Sequence, residues 1–321
     1  SGAAVEDQLT NESYNIEAKA VINATGVFVD EIMKWDVPET DKKVRPSQGV
    51  HLVVDSKFLG GNSALMIPKT KDGRVLFGVS WHGKVVLGTT DTPLDTASSE
   101  PEALEEEIDF ILDQAGQYLE IKPTRKDVLS VFAGLRPLAA PVKSDSKKTK
   151  EISRSHKIYK SASGLITITG GKWTTYREMA EDAVNRTIKT AGLPSTPCVT
   201  RHLRQHGYME DVDWSKWDYV YGSDIKYIDR LIREDSSNAE LLHDDYTFTK
   251  AHVVWAVREE MAITVEDVVA RRIRLLFLDA RAASDIAPKV ATIMAREMGK
   301  DNVWIERQVA EFRALAKNYM L

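Results

Sequence analysis

The sequence predicts an α+β, multidomain protein that combines a small α/β part, an antiparallel β-sheet and a C-terminal all-α part. Its 321 residues exceed what one compact core normally spans. Residues 45–88 contain short β-rich segments separated by turn signals, which is typical of an antiparallel sheet. Beyond residue 193, apolar residues recur three and four positions apart, as on the buried faces of helices. We therefore expect four segments, 1–43, 44–143, 144–193 and 194–321.

The bulk composition indicates a folded protein and argues against several functional classes. With 43% apolar and 28% charged residues, the chain has the composition of a globular protein. A net charge of -5 supplies no general attraction for nucleic acid or for anionic lipid. The single cysteine, Cys198, excludes an internal disulfide. No apolar run in the sequence is long enough to cross a membrane.

The first segment has the pattern of half an α/β unit. After a polar loop, Lys19–Ala24 is a predicted strand, Thr25 and Gly26 form a turn, and Val27–Trp35 is a short helix. A strand that is buried on both faces needs neighbours, and no strand is predicted before this one. We therefore expect the chain to begin inside a domain.

The second segment has the pattern of an antiparallel meander followed by a helix. Turn signals at residues 71–73 and 82–84 separate the strands. The helix is expected to begin with a capping box formed by Ser99 and Glu102. Its glutamate run, residues 105–107, is expected to face solvent.

The stretch "ITITGGKWTTYREMAEDAV" is the first candidate for chemistry. It predicts a strand, the two glycines Gly170 and Gly171, and an amphipathic helix. It is not a P-loop, because the positions that require a glycine and a Ser or Thr hold Ile166 and Trp173. The dinucleotide fingerprint G-x-G-x-x-G is absent from the sequence. Two interpretations stay open: the N–H groups at the helix start hold an anion, or the glycines only allow close packing of the helix.

Arg136 and His51 are the candidate side chains. Arg136 lies near the end of the apolar strand in "FAGLRPLAAP", where a guanidinium is costly unless it is paired or binds an anion. No acidic residue lies near it in the sequence, so a structural ion pair and an anionic-substrate clamp both remain open. His51 alternates with apolar residues in "SQGVHLVV", which fits a hydrogen-bonded core histidine or a catalytic base.

The C-terminal segment is expected to be almost wholly helical. Thr264 and Asp267 have the spacing of a capping box at one helix start. The basic residues Arg271, Arg272 and Arg274 in "ARRIRLLF" lack interleaved aromatic residues that could stack on bases. We expect them to form ion pairs with acidic neighbours.

The histidine pair His202 and His206 has a spacing that two metal ligands on a helix can have. No glutamate follows His202 to complete the pattern H-E-x-x-H, and no cysteines accompany the pair. We therefore expect no metal site. The nucleophile motif G-x-S-x-G is also missing from the sequence.

Several segments together resemble the FAD-dependent glycerol-3-phosphate dehydrogenases of the D-amino-acid-oxidase-like superfamily. They are VINATGVFVD, QGVHLVVD, VLGTTDTPLD, GLRPLAAP, ISRSHKIY, ITGGKWTTYREMAEDAV and VVWAVREEMAITVEDVVARRIRLLFLDARAA. They cover nearly the whole chain in order, and the last one is the most specific.

The resemblance implies a fold made of a remnant of an FAD-binding α/β domain, an antiparallel substrate domain and a C-terminal helical domain. The family's glycine-rich βαβ unit, which opens its FAD domain, is not among the matching segments. We therefore expect this chain to be the C-terminal portion of such an enzyme, with FAD bound in the full-length parent but not in this chain, and inactive in isolation.

The resemblance also implies a reaction and a cofactor site. Hydride transfer from C2 of sn-glycerol 3-phosphate to FAD would give dihydroxyacetone phosphate, and a membrane quinone would receive the electrons. The N–H groups and dipole at the helix start would stabilise negative charge on the reduced flavin. The implied cofactor-binding residues are Ala24, Thr25 and Gly26 along the ADP half of FAD, and Gly170, Gly171, Lys172, Trp173, Thr174 and Thr175 at the flavin.

For the substrate, the resemblance implies that Arg136 binds the oxygens and that Arg154 or Lys172 binds the phosphate. His51 would be the general base or a hydrogen-bond partner at the C2 hydroxyl.

Two alternatives remain beside the quinone-linked dehydrogenase. The parent protein could be a glycerol-3-phosphate oxidase that passes electrons to oxygen, or the chain could be a non-catalytic module for folding or partner contacts. No nucleic-acid partner is expected, while a peripheral membrane contact and a homodimer are left open. The expected location is the cytoplasm, with the inner face of the cytoplasmic membrane as the alternative.

Overall fold

The computed structural model describes residues 2–61, 63–71, 73–140 and 155–321. The chain divides into two compact units. The first contains Ser1–Gly49, Asp91–Pro101 and Gly134–Leu203, and the second contains Val50–Thr90, Glu102–Ala133 and Arg204–Leu321. Two long strands, β4 (Val44–Asp55) and β9 (Val128–Ala139), run from one unit into the other.

The first unit opens with an exposed hairpin of β1 (Gly2–Glu6) and β2 (Ser13–Glu17). The prediction of a polar loop in this region was therefore wrong. The cause is local turn chemistry: the Asp7 carboxylate accepts a hydrogen bond from the Leu9 N–H at 2.7 Å. Asn11 adopts a left-handed φ of 57°, a conformation that asparagine tolerates well. These residues close the turn, and the register of the two strands follows from it.

A three-stranded sheet forms the centre of the first unit. Its order is β10 (His156–Lys160), β11 (Ile166–Gly170) and β3 (Ile22–Asn23). The β10–β11 pair is antiparallel and the β11–β3 pair is parallel. Because β3 and β11 are parallel, their carboxyl ends lie at the same edge of the sheet. Helices α1 (Val29–Asp36) and α3 (Tyr176–Ala191) follow these two ends.

The second unit contains an antiparallel sheet, as the turn signals predicted. Strands β5 (Leu65–Ile67), β6 (Leu76–Trp81) and β7 (Lys84–Gly88) lead to the β4 residues of this unit, with β9 also paired to β4. The β6–β7 turn places His82 and Gly83 at φ 47° and 74°, as a two-residue hairpin requires. In the first unit, β8 (Thr92–Pro93) pairs with the earlier residues of β4.

Helix α2 (Glu105–Gly116) covers one face of this sheet. The buried contacts between them are apolar and include Leu52, Leu76, Leu87, Ile108 and Ile111. The side chains on the opposite face include His51 and Phe77, which both lie in register with Gly88.

The start of α2 corrects two expectations. The helix begins after Leu104 rather than at Ser99, and the carboxylate of Glu107 accepts the N–H of Leu104 at 3.1 Å. Glu107 is only 3% exposed and also accepts the Thr90 hydroxyl at 2.7 Å. The prediction that Glu107 faces solvent was wrong. Two hydrogen bonds satisfy its carboxylate, so this carboxylate can be buried.

The remaining part of the second unit is mainly helical. Its helices are α4 (Ile225–Glu234), α5 (Lys250–Glu259), a π-helical turn (Asp267–Arg272), α6 (Leu275–Leu278), α7 (Ala280–Met298) and α8 (Asn302–Ala316). A short hairpin of β12 (Leu241–His243) and β13 (Tyr246–Thr249), which the apolar spacing did not predict, precedes α5. A single apolar core joins most of these elements.

The capping and charge predictions for this region are largely confirmed. The Asp267 N–H donates to the Thr264 hydroxyl at 3.1 Å, and the Asp267 carboxylate accepts the Thr264 N–H at 3.0 Å. Arg271 pairs with Asp267 at 2.8 Å, and Arg272 lies 3.6 Å from the Glu260 carboxylate. For Arg274 the described residues show no ion pair, and its φ of 59° ends the preceding helical turn before α6.

His252 is the most buried histidine of this helical region and is 4% exposed. Its Nδ1 accepts the Thr249 N–H at 3.0 Å, so the proton of the neutral ring lies on Nε2. Trp217, Tyr221 and Phe248 surround the ring. Burial lowers the pKa of His252 from 6.5 to about 4.

We expect His252 to make the stability of this chain depend on acid. At pH values between about 4 and 6.5, His252 binds a proton in the unfolded chain but not in the folded chain. His252 therefore leaves the free energy of unfolding unaffected above pH 6.5 and lowers it as the pH falls from there toward 4. The expected loss is about 2 kcal/mol at pH 5 relative to pH 7.5. Urea unfolding of the wild type and of His252→Gln at both pH values measures this difference. Equal losses in the two proteins would contradict the assignment to His252.

Candidate functional site

The end of β3 forms a turn that Asn23 organises. The Asn23 side chain is buried, and its Nδ2 donates to the Val29 carbonyl at 2.9 Å and to the Thr167 hydroxyl at 3.3 Å. Its Oδ1 accepts the Thr25 hydroxyl at 2.8 Å. Gly26 has a φ of 63°, and a Cβ there would meet no atom within 4 Å. The turn Ala24–Thr25–Gly26 is therefore held firmly while its outer side stays open.

The end of β11 carries the two glycines into a helix start. Gly170 and Gly171 have φ values of 75° and 77°, which side chains with a Cβ rarely adopt. A Cβ on Gly171 would lie 2.6 Å from the Met179 sulfur, so glycine allows α3 to pack closely. His156 ties β10 to the same helix through a 2.9 Å contact between its Nε2 and the Asp182 carboxylate. Close packing thus accounts for part of this motif.

The helix start itself is exposed and has no side-chain cap. Residues Trp173–Thr175 form a 3-10 turn ahead of α3, and no side-chain hydrogen bond caps it at Lys172. The Thr175 hydroxyl donates to the Lys172 carbonyl at 3.0 Å and is thereby occupied. Trp173 is 85% exposed, and its ring stacks on Tyr176 at 5.5 Å. The first N–H groups of this turn can therefore serve an anionic group placed beside them.

A substitution at Gly170 tests how strongly this turn is determined. A Cβ at Gly170 would lie 3.0 Å from the Ser155 carbonyl oxygen and 3.2 Å from the Ala139 Cβ. We expect Gly170→Ala to lower the free energy of unfolding by about 2–4 kcal/mol, from the left-handed backbone and the crowding together. Gly192→Ala is the matched control, because Gly192 has a φ of 63° with no atom within 4 Å. In urea unfolding the control should lose about 1–2 kcal/mol. Equal losses would show that crowding contributes nothing.

Arg136 lies against the backbone of β4 in the first unit. A Cβ on Gly49 would come within 2.3 Å of the Arg136 Nη2, so the guanidinium occupies the space that a side chain there would need. The Arg136 Nη1 lies 3.7 Å from the Asp91 carboxylate, and Asp91 also accepts the Ser47 hydroxyl. Asp91 is distant in sequence, which is why no acidic neighbour of Arg136 was predicted. The ion pair is longer than a direct hydrogen bond.

His51 lies in the second unit with its ring between two neighbours. The ring stacks on Phe132 with 5.3 Å between centroids and 20° between planes. A Cβ on Gly88, its partner in the β4–β7 register, would come 2.3 Å from the His51 Cδ2. Glycine at position 88 is therefore required for this position of the imidazole, and the ring is only partly exposed.

The predicted cofactor residues meet at one edge of the first unit's sheet. The turn Ala24–Gly26 and the stretch Gly170–Thr175 follow the adjacent parallel strands β3 and β11. Arg136 belongs to the same unit. Lys172 is exposed, and the described residues offer its amine no ion pair. Arg154 lies outside the described residues.

Sequence reasoning missed residues that hold the candidates in place: Asn23, Ser47, Gly49, Gly88, Asp91 and Phe132. Some signals were available, since Asn23 and Asp91 stand inside the quoted segments VINATG and VLGTTD. Their partners are far away in the chain, so no spacing rule could have identified their roles. The pair His202 and His206 is not on a helix, and His206 contacts the Asp224 carboxylate at 2.7 Å instead.

The sheet edge offers several features that suit part of a dinucleotide cofactor. Ligands of α/β sheets bind beyond the carboxyl ends of the strands, next to helix starts. Here two such ends are adjacent, each has glycine in a left-handed conformation, and the space around a Cβ at Gly26 is open. The exposed Trp173 and the uncapped helix start add an aromatic surface and N–H donors. These residues fit FAD.

Comparisons with known proteins show to which family the chain is similar. The family profile described as FAD dependent oxidoreductase matches residues 2–177. A second profile, the C-terminal domain of alpha-glycerophosphate oxidase, matches residues 166–303. In the part of the chain that the structure describes, no helix is long and apolar enough to span a membrane.

Two of the relatives with similar sequences are mitochondrial glycerol-3-phosphate dehydrogenases. That of Arabidopsis thaliana is 38% identical over 92% of this chain and 51% of its own length. That of Homo sapiens is 36% identical over 98% of this chain and 46% of its own length. The chain thus spans about half the length of these relatives.

A solved structure is also similar. The glycerol-3-phosphate dehydrogenase of Bacillus halodurans, complexed with FAD, has a TM-score of 0.82 and 28% sequence identity. The similarity covers 99% of this chain and 66% of that one. The mixed α/β fold with a helical C-terminal part is therefore shared with an FAD-bearing protein.

Proposed function

Because this chain belongs to the family of FAD-dependent oxidoreductases, we propose that it supplies much of a glycerol-3-phosphate dehydrogenase. In a protein of the relatives' full length, the reaction is oxidation of sn-glycerol 3-phosphate to dihydroxyacetone phosphate. The observation that carries the proposal is 38% and 36% identity, over nearly the whole chain, to two relatives with that name. The quinone as final electron acceptor is part of the same proposal.

The first unit would hold the cofactor. Bound FAD supplies a two-electron oxidant that can accept a hydride. The turn Ala24–Thr25–Gly26 would lie along its ADP half, where Gly26 leaves the backbone open. The helix start would lie at the flavin, where N–H donors and the helix dipole favour negative charge. Its residues are Gly170, Gly171, Lys172, Trp173, Thr174 and Thr175.

The substrate would be held by charge and oriented by a hydrogen bond. We assign Arg136 to the substrate oxygens, because its position over Gly49 and beside Asp91 fixes a planar donor group. Lys172 or Arg154 would bind the phosphate. His51 would accept the proton of the C2 hydroxyl as that carbon is oxidised, or hold the hydroxyl by a hydrogen bond.

The electron acceptor, quinone or oxygen, distinguishes the proposed dehydrogenase from the alternative of a glycerol-3-phosphate oxidase. The oxidase alternative is supported only by the name of the profile that matches the C-terminal part, alpha-glycerophosphate oxidase. Full-length protein given sn-glycerol 3-phosphate should form dihydroxyacetone phosphate and reduce a soluble quinone. Peroxide formed in equal amount to product, without quinone reduction, would favour the oxidase. No reaction from an FAD-bound preparation would refute both activities.

Further parts of the proposal concern the chain alone and its surroundings. We assign 1–43 and 144–193 to the FAD domain, 44–143 to the substrate domain and 194–321 to the helical domain. The isolated chain should lack FAD and activity, and a purified chain that stays yellow through gel filtration would refute this. A cytoplasmic location, contact with the inner membrane face and a homodimer remain proposals that fractionation and light scattering can test.

A further inference from the structure

Strand β9 is attached to the C-terminal helices at two polar contacts within the second unit. The Ser130 hydroxyl is fully buried and donates to the Leu276 carbonyl of α6 at 2.8 Å. Near the start of α7, the Arg281 Nη1 donates to the Val128 carbonyl at 3.1 Å. A buried hydroxyl that donates to a backbone carbonyl has a well-defined position, because losing the bond would leave both groups unsatisfied. These contacts fix the strand against the helices.

Phe132 continues this contact on the same face of β9, two residues beyond Ser130. The rings of Phe277, in α6, and Phe132 meet edge to face, with 5.3 Å between centroids and 86° between planes. Tyr319 in turn meets Phe277 at 5.6 Å and 80°. Both separations lie within the range of favourable edge-to-face aromatic pairs. Phe277 therefore packs between Tyr319 and Phe132.

Phe132 also contacts His51. The two rings are stacked at 5.3 Å, and Gly88 leaves no room for the imidazole to move toward β7. A histidine that handles a proton must be held in one orientation, since its two nitrogens differ in role. The rings of His51, Phe132, Phe277 and Tyr319 thus form a continuous row from β4 to the C-terminal residues.

We infer that Phe132 and Phe277 are positioning residues through which the C-terminal helices hold the imidazole of His51. This inference rests on the proposed role of His51. It assigns the helical part of the second unit a task in the site, although its own side chains need not touch the substrate. Among the ring contacts of the described residues, Phe132 links Phe277 to His51, so a change at Phe277 should reach His51 through Phe132.

Nuclear magnetic resonance of the 321-residue chain with 13C-labelled histidine tests this inference. The spectrum of His51→Gln identifies the His51 ring signals among those of the seven histidines. A proton held above a phenyl ring is shielded, so Phe132→Leu should move the His51 signals downfield. Phe277→Leu should move them in the same direction by a smaller amount. Phe312→Leu is the matched control, since Phe312 is buried in the same helical core but absent from the aromatic row.

His51 signals that stay in place in Phe277→Leu, while Phe132→Leu moves them, would overturn the role of Phe277. Signals that stay in place in both variants would overturn the whole inference, as would an equal shift in Phe312→Leu. If Phe277→Leu fails to fold, Phe277→Met keeps a long apolar side chain and is assessed by the same outcomes. The readout needs neither FAD nor substrate. A failure of the proposed dehydrogenase activity would therefore be seen separately, in assays of the full-length protein.

Discussion

His51→Ala in the full-length protein is expected to lower kcat/KM for sn-glycerol 3-phosphate by about 10²- to 10⁴-fold. Removal of a hydride from C2 requires the hydroxyl proton to leave, and a positioned histidine makes that transfer easier. The ring is already held between Phe132 and Gly88, so its orientation costs little when substrate binds. Steady-state assays with a soluble electron acceptor, across a range of pH, measure the effect.

Two further variants show which role His51 has. His51→Gln keeps a hydrogen-bond donor and acceptor but cannot take up a proton at ordinary pH. Recovery of most activity in His51→Gln would favour a hydrogen-bond partner, whereas a loss equal to that of His51→Ala indicates a base. His206→Ala is the control, because the His206 side chain is 87% exposed and contacts Asp224 instead. Activity of His51→Ala within about threefold of wild type would remove His51 from the mechanism.

Arg136→Ala in the same protein is expected to lower kcat/KM by at least about 10²-fold. Deleting a charged side chain that hydrogen-bonds an anionic substrate costs about 2–5 kcal/mol of binding free energy. About 1.4 kcal/mol corresponds to a factor of ten in an equilibrium constant. The loss should appear in KM and in kcat, because the guanidinium both binds and orients the substrate. Near-normal catalytic efficiency would exclude Arg136 from the site and leave it a structural partner of Asp91.

The surroundings of Arg136 offer a more selective experiment. Gly49→Ala would place a methyl group where the guanidinium now lies, while Gly134→Ala adds one where no atom lies within 4 Å. We expect Gly49→Ala to lower activity nearly as much as Arg136→Ala and Gly134→Ala to leave it almost unchanged. Arg136→Lys separates charge from geometry, since lysine cannot reproduce the planar arrangement of donors. Full activity in Arg136→Lys would mean that charge alone is needed.

The candidate site could be predicted only in part, because the signals differ in range. The two glycines of "ITITGGKW" indicate a left-handed backbone from the local sequence, and the structure has that conformation at Gly170 and Gly171. For Arg136 the sequence left an ion pair and a ligand clamp open. Tertiary structure brings Asp91 to 3.7 Å, through the β4–β8 connection, and so supplies an ion pair that no local pattern could reveal.

The elements of the fold show the same division. The capping box of Thr264 and Asp267 was predictable because both partners lie within one helical turn. The start of α2 was not, since Glu107 at the helix start also accepts a hydrogen bond from Thr90, in the connection between β7 and β8. Likewise, no strand was predicted before β3 to pair with it, and its partner β11 follows more than a hundred residues later in the sequence.

The family came from the resemblance of whole segments, while local pattern was enough to predict a mixed α/β fold, the tight turns and most of the helices. These depend on residues within a few positions of one another, where backbone sterics and side-chain periodicity act directly. Folding alone decided which distant residues meet: Asn23 with Thr167, Arg136 with Asp91, and His51 with Phe132. Such contacts arise when strands pair and side chains pack in three dimensions, and no spacing along the chain records them.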